Sequence, residues 1–128
     1  MDLQALLHAS LAALATFLIG GPWYGLLGAH WQRARGASVA EPGHPARVFP
    51  IAYLFSVVAC LMLAALLGPD PSLSSGATTG FLIGACIVAA SFGINYQFSN
   101  ASWRLLAIDG GYHVVQFTAF GAVLGALR

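Results

Sequence analysis

The sequence predicts an all-α protein: a bundle of four transmembrane helices, antiparallel and joined by short loops. Three observations carry that expectation. The 128-residue chain is 59% hydrophobic and 7% charged, whereas a soluble domain is about 25% charged, and its mean hydropathy is +0.79. Its uncharged stretches are long enough for a hydrocarbon core, which takes about 20 helical residues. These stretches do not alternate: Val57 to Leu67 is apolar on every side. That excludes the alternating strands of a membrane barrel and leaves helices, which satisfy their backbone bonds within the segment.

The elements follow in order within a single membrane domain, residues 1–128. Span one is expected over about 3–27. No basic residue precedes its apolar stretch and no small-residue cleavage site follows, so it reads as a retained span rather than a signal peptide. Gly20-Gly21-Pro22 predicts a kink there, because proline lacks the N–H and crowds the preceding turn; such a break frees carbonyls beside a pocket. The linker Ala29 to Ala46 carries Arg33, Arg35, Glu41, Pro42, Gly43 and Pro45. Span two is expected over about 48–68, ending at the tight turn Pro69-Asp70-Pro71-Ser72 with its two helix breakers. Span three covers about 76–98, and a linker of about Ser99 to Ser102 leads to span four, about 104–127.

Charge sets the orientation. Arg33, Arg35, Arg47 and Arg104 fall on the side of linkers one and three; Arg128, Asp2 and Asp70 fall on the other. The positive-inside rule then puts both linkers in the cytoplasm and both termini outside. A net charge of +1 gives no reason to expect a nucleic-acid partner. The partners expected are the lipid bilayer and either a second copy or a larger membrane complex. Cys60 and Cys86 lie inside apolar runs and read as small packing residues, not a disulfide.

Close backbone approach is the means by which helices associate in lipid. Small residues recur at four-residue spacing in every span: Ala5, Ala9, Ala13, Gly21 and Gly25 in the first, Ala52, Ser56, Cys60, Ala64 and Gly68 in the second, Gly76, Gly80 and Gly84 in the third, Gly121 and Gly125 in the fourth. Such ladders serve packing inside one bundle or a face between two copies.

Asp109 is the one charge well inside a span, and Tyr112, His113 and Gln116 follow it at i+3, i+4 and i+7, on one helix face. Two readings stand. Asp109 either pairs with Arg104, with an arginine of linker one or with the helix dipole, or it faces a functional cavity. At the same expected depth lie Trp23, Tyr24, Trp31, Tyr96 and Trp103, which fit an interfacial aromatic belt, and Asn95, which lies below the interface. The candidate ligand-binding set is Trp23, Tyr24, Trp31, Asn95, Asp109, Tyr112, His113 and Gln116. No two of His8, His30, His44 and His113 have metal-site spacing on one helix, haem ligation by His8 or His113 would need partners from other helices, and no catalytic motif is present. No cofactor and no catalytic residue is assigned. Asn100-Ala101-Ser102 fits a glycosylation acceptor but sits on the cytoplasmic side.

Gly21-Pro22-Trp23-Tyr24-Gly25-Leu26-Leu27-Gly28 followed by Trp31 resembles the end of the first helix in the domain of unknown function 1761 family, as do Phe98, the stretch Leu105 to Tyr112 with Asp109, and Gly121 to Leu124. The resemblance spans nearly the whole chain; Leu27 departs from it, where an aromatic residue is expected. It implies a four-helix membrane fold of bacterial or fungal origin, here a bacterial inner membrane, and no activity. It draws attention to Trp23, Tyr24, Trp31 and Asp109.

The function expected first is small-molecule binding or transport through a polar, aromatic cavity near the cytoplasmic half. The alternatives are a structural or accessory subunit of a membrane complex, and an intramembrane enzyme in which Asp109 and His113 share a proton.

Overall fold

The computed structural model describes residues 3–36 and 43–127. Glu41 and Pro42 of the first linker, and Asp2 and Arg128 of the expected outer side, lie outside these residues. Four long helices form: α1 (Leu3–Arg35), α2 (Pro45–Leu67), α3 (Leu73–Phe98) and α4 (Trp103–Ala126). No strand occurs among the described residues. Three of the helices, α1 to α3, are long and apolar enough to cross a membrane. The fourth, with Arg104, Asp109, His113 and Gln116, is less apolar. It packs against each of the other three and holds ten buried residues, more than any other helix, among them Asp109 and Gln116.

The helices start and stop at local signals. Pro45 occupies the first turn of α2, where its missing N–H is no loss, and the His44 side chain accepts from the Ala46 N–H. Ser72 and Ser75 form a capping box at the start of α3. The end of α3 closes through Asn100 at φ 53°, with the Ala101 N–H donating to the Tyr96 carbonyl at 2.9 Å, the return bond of a helix C-terminus. Ser102 then caps α4 by accepting from Leu105 N–H and donates to the Ala34 carbonyl at 3.2 Å. That second bond ties the start of α4 to the end of α1.

Two irregularities differ from expectation. The interruption of α1 lies at Leu14, between Leu3–Ala13 and Ala15–Arg35, and the helix passes through Pro22. At Leu14 the bonds Leu14→Leu11 and Phe17→Leu14 tighten the winding to a 3₁₀-like turn. Ala12, Ala13, Ala15 and Thr16 are thereby all buried in the bundle. Gly20 leaves room for the Tyr112 ring, whose hydroxyl would stand 3.3 Å from a Cβ there. The second irregularity is a π-helical segment, Gly84–Ala89, inside α3, which no composition signal announced.

The small-residue ladders of α2, α3 and α4 work inside the chain. A Cβ at Gly76 would collide with the Gly121 carbonyl oxygen, one at Gly80 with that of Phe117, one at Gly84 with Val114 Cα at 2.9 Å, and one at Gly125 with the Ser72 carbonyl oxygen. Residue numbers fall along α4 as they rise along α3. Ala9, Ala12, Ala13 and Ala15 of α1 pack with Cys60 and Leu63 of α2 and with Phe120 and Leu124 of α4 in the apolar core. Gly21 and Gly25 are different: nothing lies within 4 Å of a Cβ at either. Cys60 is buried as expected, whereas Cys86 is exposed; both are free thiols. Leu18, Leu54, Phe55, Met62, Ile87 and Ile94 stand outward, an apolar exterior suited to lipid.

Candidate functional site

The polar stripe of α4 meets α1 and α3 near their adjoining ends. Asp109 is buried, 8% exposed, and its carboxylate accepts three hydrogen bonds. Tyr24 Oη donates to Oδ1 at 2.8 Å, Trp31 Nε1 to Oδ1 at 2.9 Å, and Tyr96 Oη to Oδ2 at 2.7 Å. Tyr24 and Trp31 are seven residues apart, about two turns, so both reach α4 from one face of α1. Trp23, next to Tyr24, donates from Nε1 to the Ile108 carbonyl at 3.0 Å. Gly111 makes room for that indole: a Cβ there would stand 3.2 Å from Trp23 Cζ2.

The expectation that Asp109 pairs with an arginine does not hold among the described residues. Arg104 is exposed, and Arg35 lies over the Trp31 ring, 4.1 Å from its centroid, a cation–π contact. Trp31 thus contacts the guanidinium with its face and the carboxylate with its Nε1–H. Of the five residues assigned to an aromatic belt, Trp23, Tyr24, Trp31 and Tyr96 turn toward α4; Trp103 alone stands outward, 73% exposed.

A chain of aromatic contacts runs from Trp31 to Tyr96, both of which donate to the carboxylate. Trp31 meets Tyr24 at 5.9 Å, Tyr24 meets Tyr112 at 5.2 Å, Tyr112 meets His113 at 4.9 Å, His113 stacks on Phe92 at 4.9 Å, and Phe92 meets Tyr96 at 5.6 Å. Each separation lies in the favourable range for offset or edge-on pairs.

A second polar system starts at His113 and runs deeper into the bundle. His113 Nδ1 and Gln116 Oε1 are 2.7 Å apart, Gln116 Nε2 donates to Thr16 Oγ1 at 2.8 Å, Thr16 Oγ1 and Ser56 Oγ are 2.7 Å apart, and Ser56 Oγ donates to the Ala52 carbonyl at 2.9 Å. One order of donors satisfies all four bonds. Ser56 directs its proton to Ala52, so Thr16 donates to Ser56; Gln116 uses its amide on Thr16, so its carbonyl accepts from His113 Nδ1–H. In the neutral imidazole, Nε2 is then an acceptor that takes no part in the chain. Tyr112 donates separately to the Thr16 carbonyl at 3.0 Å. Thr16→Val, which keeps the shape and removes the hydroxyl, leaves the Gln116 amide without its acceptor. It is expected to lower unfolding stability by about 1 kcal/mol or more, read as a fall in thermal midpoint in detergent, with Thr16→Ser close to wild type.

His113, Gln116, Thr16, Ser56 and Tyr112 line a cleft of about 400 Å³, with Phe55, Val88 and Phe120 among its apolar walls. Val88 comes from the π-helical segment of α3, a kind of irregularity frequent at functional sites. The candidate residues therefore fall into groups. Trp23, Tyr24 and Trp31 surround Asp109; Tyr112, His113 and Gln116 line the cleft; Asn95 is exposed and joins neither network. Asp109 and His113 use different hydrogen-bond partners, so the shared proton of the enzyme reading is not formed. Phe92, Tyr96, Thr16 and Ser56 were not among the sequence candidates. Phe92 and Tyr96 share a helix face at i,i+4, a signal that was available; Thr16 and Ser56 had none beyond being polar within apolar runs. No group of three or more potential metal ligands occurs among the described residues.

A family model described as protein of unknown function (DUF1761) matches residues 7–125. No curated protein and no solved structure matches the chain.

Proposed function

The chain belongs to the DUF1761 family of proteins of unknown function, and from its geometry we propose that it binds a small lipophilic molecule in the cleft at His113 and Gln116. In this reading all four helices cross the membrane as an antiparallel bundle, with linkers one and three in the cytoplasm of a bacterial cell. One observation carries the proposal: a cleft of about 400 Å³ whose largely apolar wall holds a directional hydrogen-bond chain ending in an imidazole. A volume of that order suits a small ligand, and a few convergent polar groups in an apolar wall fix its orientation. The ligand's head donates to His113 Nε2, and its apolar body lies against Phe55 and Val88. The Asp109 cluster plays a different part, because its carboxylate is engaged by three donors and Asp109 is not among the residues lining this cleft: it locks α1, α3 and α4 together beside the site. Under a transport role the same cleft is the entry, and a second copy completes the path.

The test uses a long-chain alcohol carrying a photoreactive diazirine, added to protein reconstituted in lipid nanodiscs. Labelling is expected in the peptides that contain Phe55, Val88 or Phe117. His113→Phe keeps the stack on Phe92 and removes the acceptor. It is expected to reduce labelling about fivefold, the worth of one hydrogen bond of about 1 kcal/mol. Labelling spread evenly over the lipid-facing surface would remove the site.

The open faces of Gly21 and Gly25 favour a second reading, an accessory subunit packed through α1 against another membrane protein or a second copy. Purification from native membranes with a stoichiometric partner would support it.

A further inference from the structure

A second cleft, of about 720 Å³, opens between the end of α1 and the start of α4, lined by the polar residues His30, Arg33 and Arg104 and by Trp103, Leu27, Ala107 and Ile108. We infer that this cleft binds an anionic phospholipid, with the phosphate between Arg33 and Arg104 and an acyl chain along Leu27 and Ala107.

Charge carries the argument first. Two arginines from different helices, with a histidine beside them, line one opening, and no acidic residue lines it. The only acidic residues among the described ones are Asp70, in the turn between α2 and α3, and Asp109, whose carboxylate is engaged by Tyr24, Trp31 and Tyr96. Among the described residues no carboxylate lines the opening beside these cations, and an anion is the complement that the site calls for.

Preorganisation is the second ground. The Ser102 bond to the Ala34 carbonyl holds the two helix ends together at 3.2 Å, which fixes Arg104 relative to Arg33. Arg33 donates from Nε to the Ala29 carbonyl at 3.1 Å. This anchors the guanidinium on its own helix and leaves the terminal nitrogens for a phosphate, a geometry arginine suits.

The third ground separates a lipid from a free ion. Beside its arginines the cleft is lined by Leu27, Ala107 and Ile108, an apolar wall of no use to inorganic phosphate. Trp103, 73% exposed beside the mouth, is the amphipathic ring found at headgroup depth. Basic pockets between membrane helices are where anionic headgroups are held.

The experiment is lipid binding followed by native mass spectrometry and thermal midpoint, on full-length protein in neutral detergent. Phosphatidylglycerol is compared with phosphatidylcholine of the same chains, and with glycerol phosphate. Phosphatidylglycerol is expected to be retained and to raise the midpoint, while phosphatidylcholine does neither. Arg33→Gln and Arg104→Gln are each expected to weaken that retention about fivefold, the worth of one arginine at a charged membrane surface. Arg47→Gln, which removes the same charge at an exposed position outside the cleft, should leave it unchanged. Equal retention of the two lipids by the wild-type protein overturns the inference. So does an equal loss in Arg47→Gln, which would mark a general charge effect, and so does full competition by glycerol phosphate, which would mark a site for the phosphate alone.

Discussion

Gly121→Ala is expected to be among the most damaging single-methyl changes in this protein. The added Cβ would enter the space held by the Gly76 carbonyl oxygen and press on its carbon at 2.7 Å. Its neighbour is backbone on a packed helix, not the end of a side chain that can turn away. Relief requires α3 and α4 to separate, which breaks the contacts at Gly80 with Phe117 and at Gly125 with Ser72 along the same seam. Overpacking a tight interior costs about 1–3 kcal/mol, and a backbone collision belongs at the upper end. The methyl also raises helix propensity by about 1 kcal/mol, so the net loss expected is about 2 kcal/mol, read as a lowered unfolding midpoint in nanodiscs. Gly25→Ala gives the internal control: the same propensity gain acts at a position with nothing within 4 Å, so stability should hold or rise slightly. Equal effects at the two positions would show that the α3–α4 seam is not the close contact described.

How much of this was legible in the sequence depended on whether a feature is local. Helix existence was local. The runs around Val57–Leu67 and Gly76–Phe98 carry no charge over their whole length, and their ends carry proline, serine or asparagine. The importance of Asp109, Trp23, Tyr24 and Trp31 was legible too, because a charge inside an apolar run needs partners. The identity of those partners was not. Depth along the membrane normal assigned Trp23, Tyr24, Trp31 and Tyr96 to an interfacial belt, but rotation about the helix axis decides whether a ring meets lipid or protein, and rotation is set by packing. Tyr24 and Trp31 already shared a face with each other by spacing; which helix that face met was a tertiary fact. The same holds for the glycine ladders. Gly76–Gly84 and Gly21–Gly25 have one spacing, yet the first set meets α4 and the second meets nothing. The helix continues through Pro22, because an interior proline removes one bond without forcing the helix to end, whereas the burial of Ala12, Ala13, Ala15 and Thr16 accompanies tighter winding at Leu14.

The Asp109 cluster yields the other large expected effect, one that separates a lock from a ligand site. Asp109→Ala removes the acceptor of three side-chain donors, Tyr24, Trp31 and Tyr96, in a part-buried setting. Interhelical bonds in membranes average about 0.6 kcal/mol and bonds to charged groups about 1.5–3 kcal/mol, so losing three is expected to cost about 2–5 kcal/mol. Asp109→Asn keeps one oxygen for Tyr24 and Trp31, and Tyr96 can accept from the new amide, so most of the stability should survive. The decisive variant combines Asp109→Leu with Tyr24→Phe, Trp31→Phe and Tyr96→Phe. Removing a buried acceptor alone strands its donors, whereas replacing both sides by apolar groups of similar shape is close to neutral. If the cluster is a lock, the combined variant recovers most of the midpoint lost in Asp109→Ala, and the diazirine label still enters the cleft at His113. If Asp109 itself holds the ligand, stability returns but labelling does not.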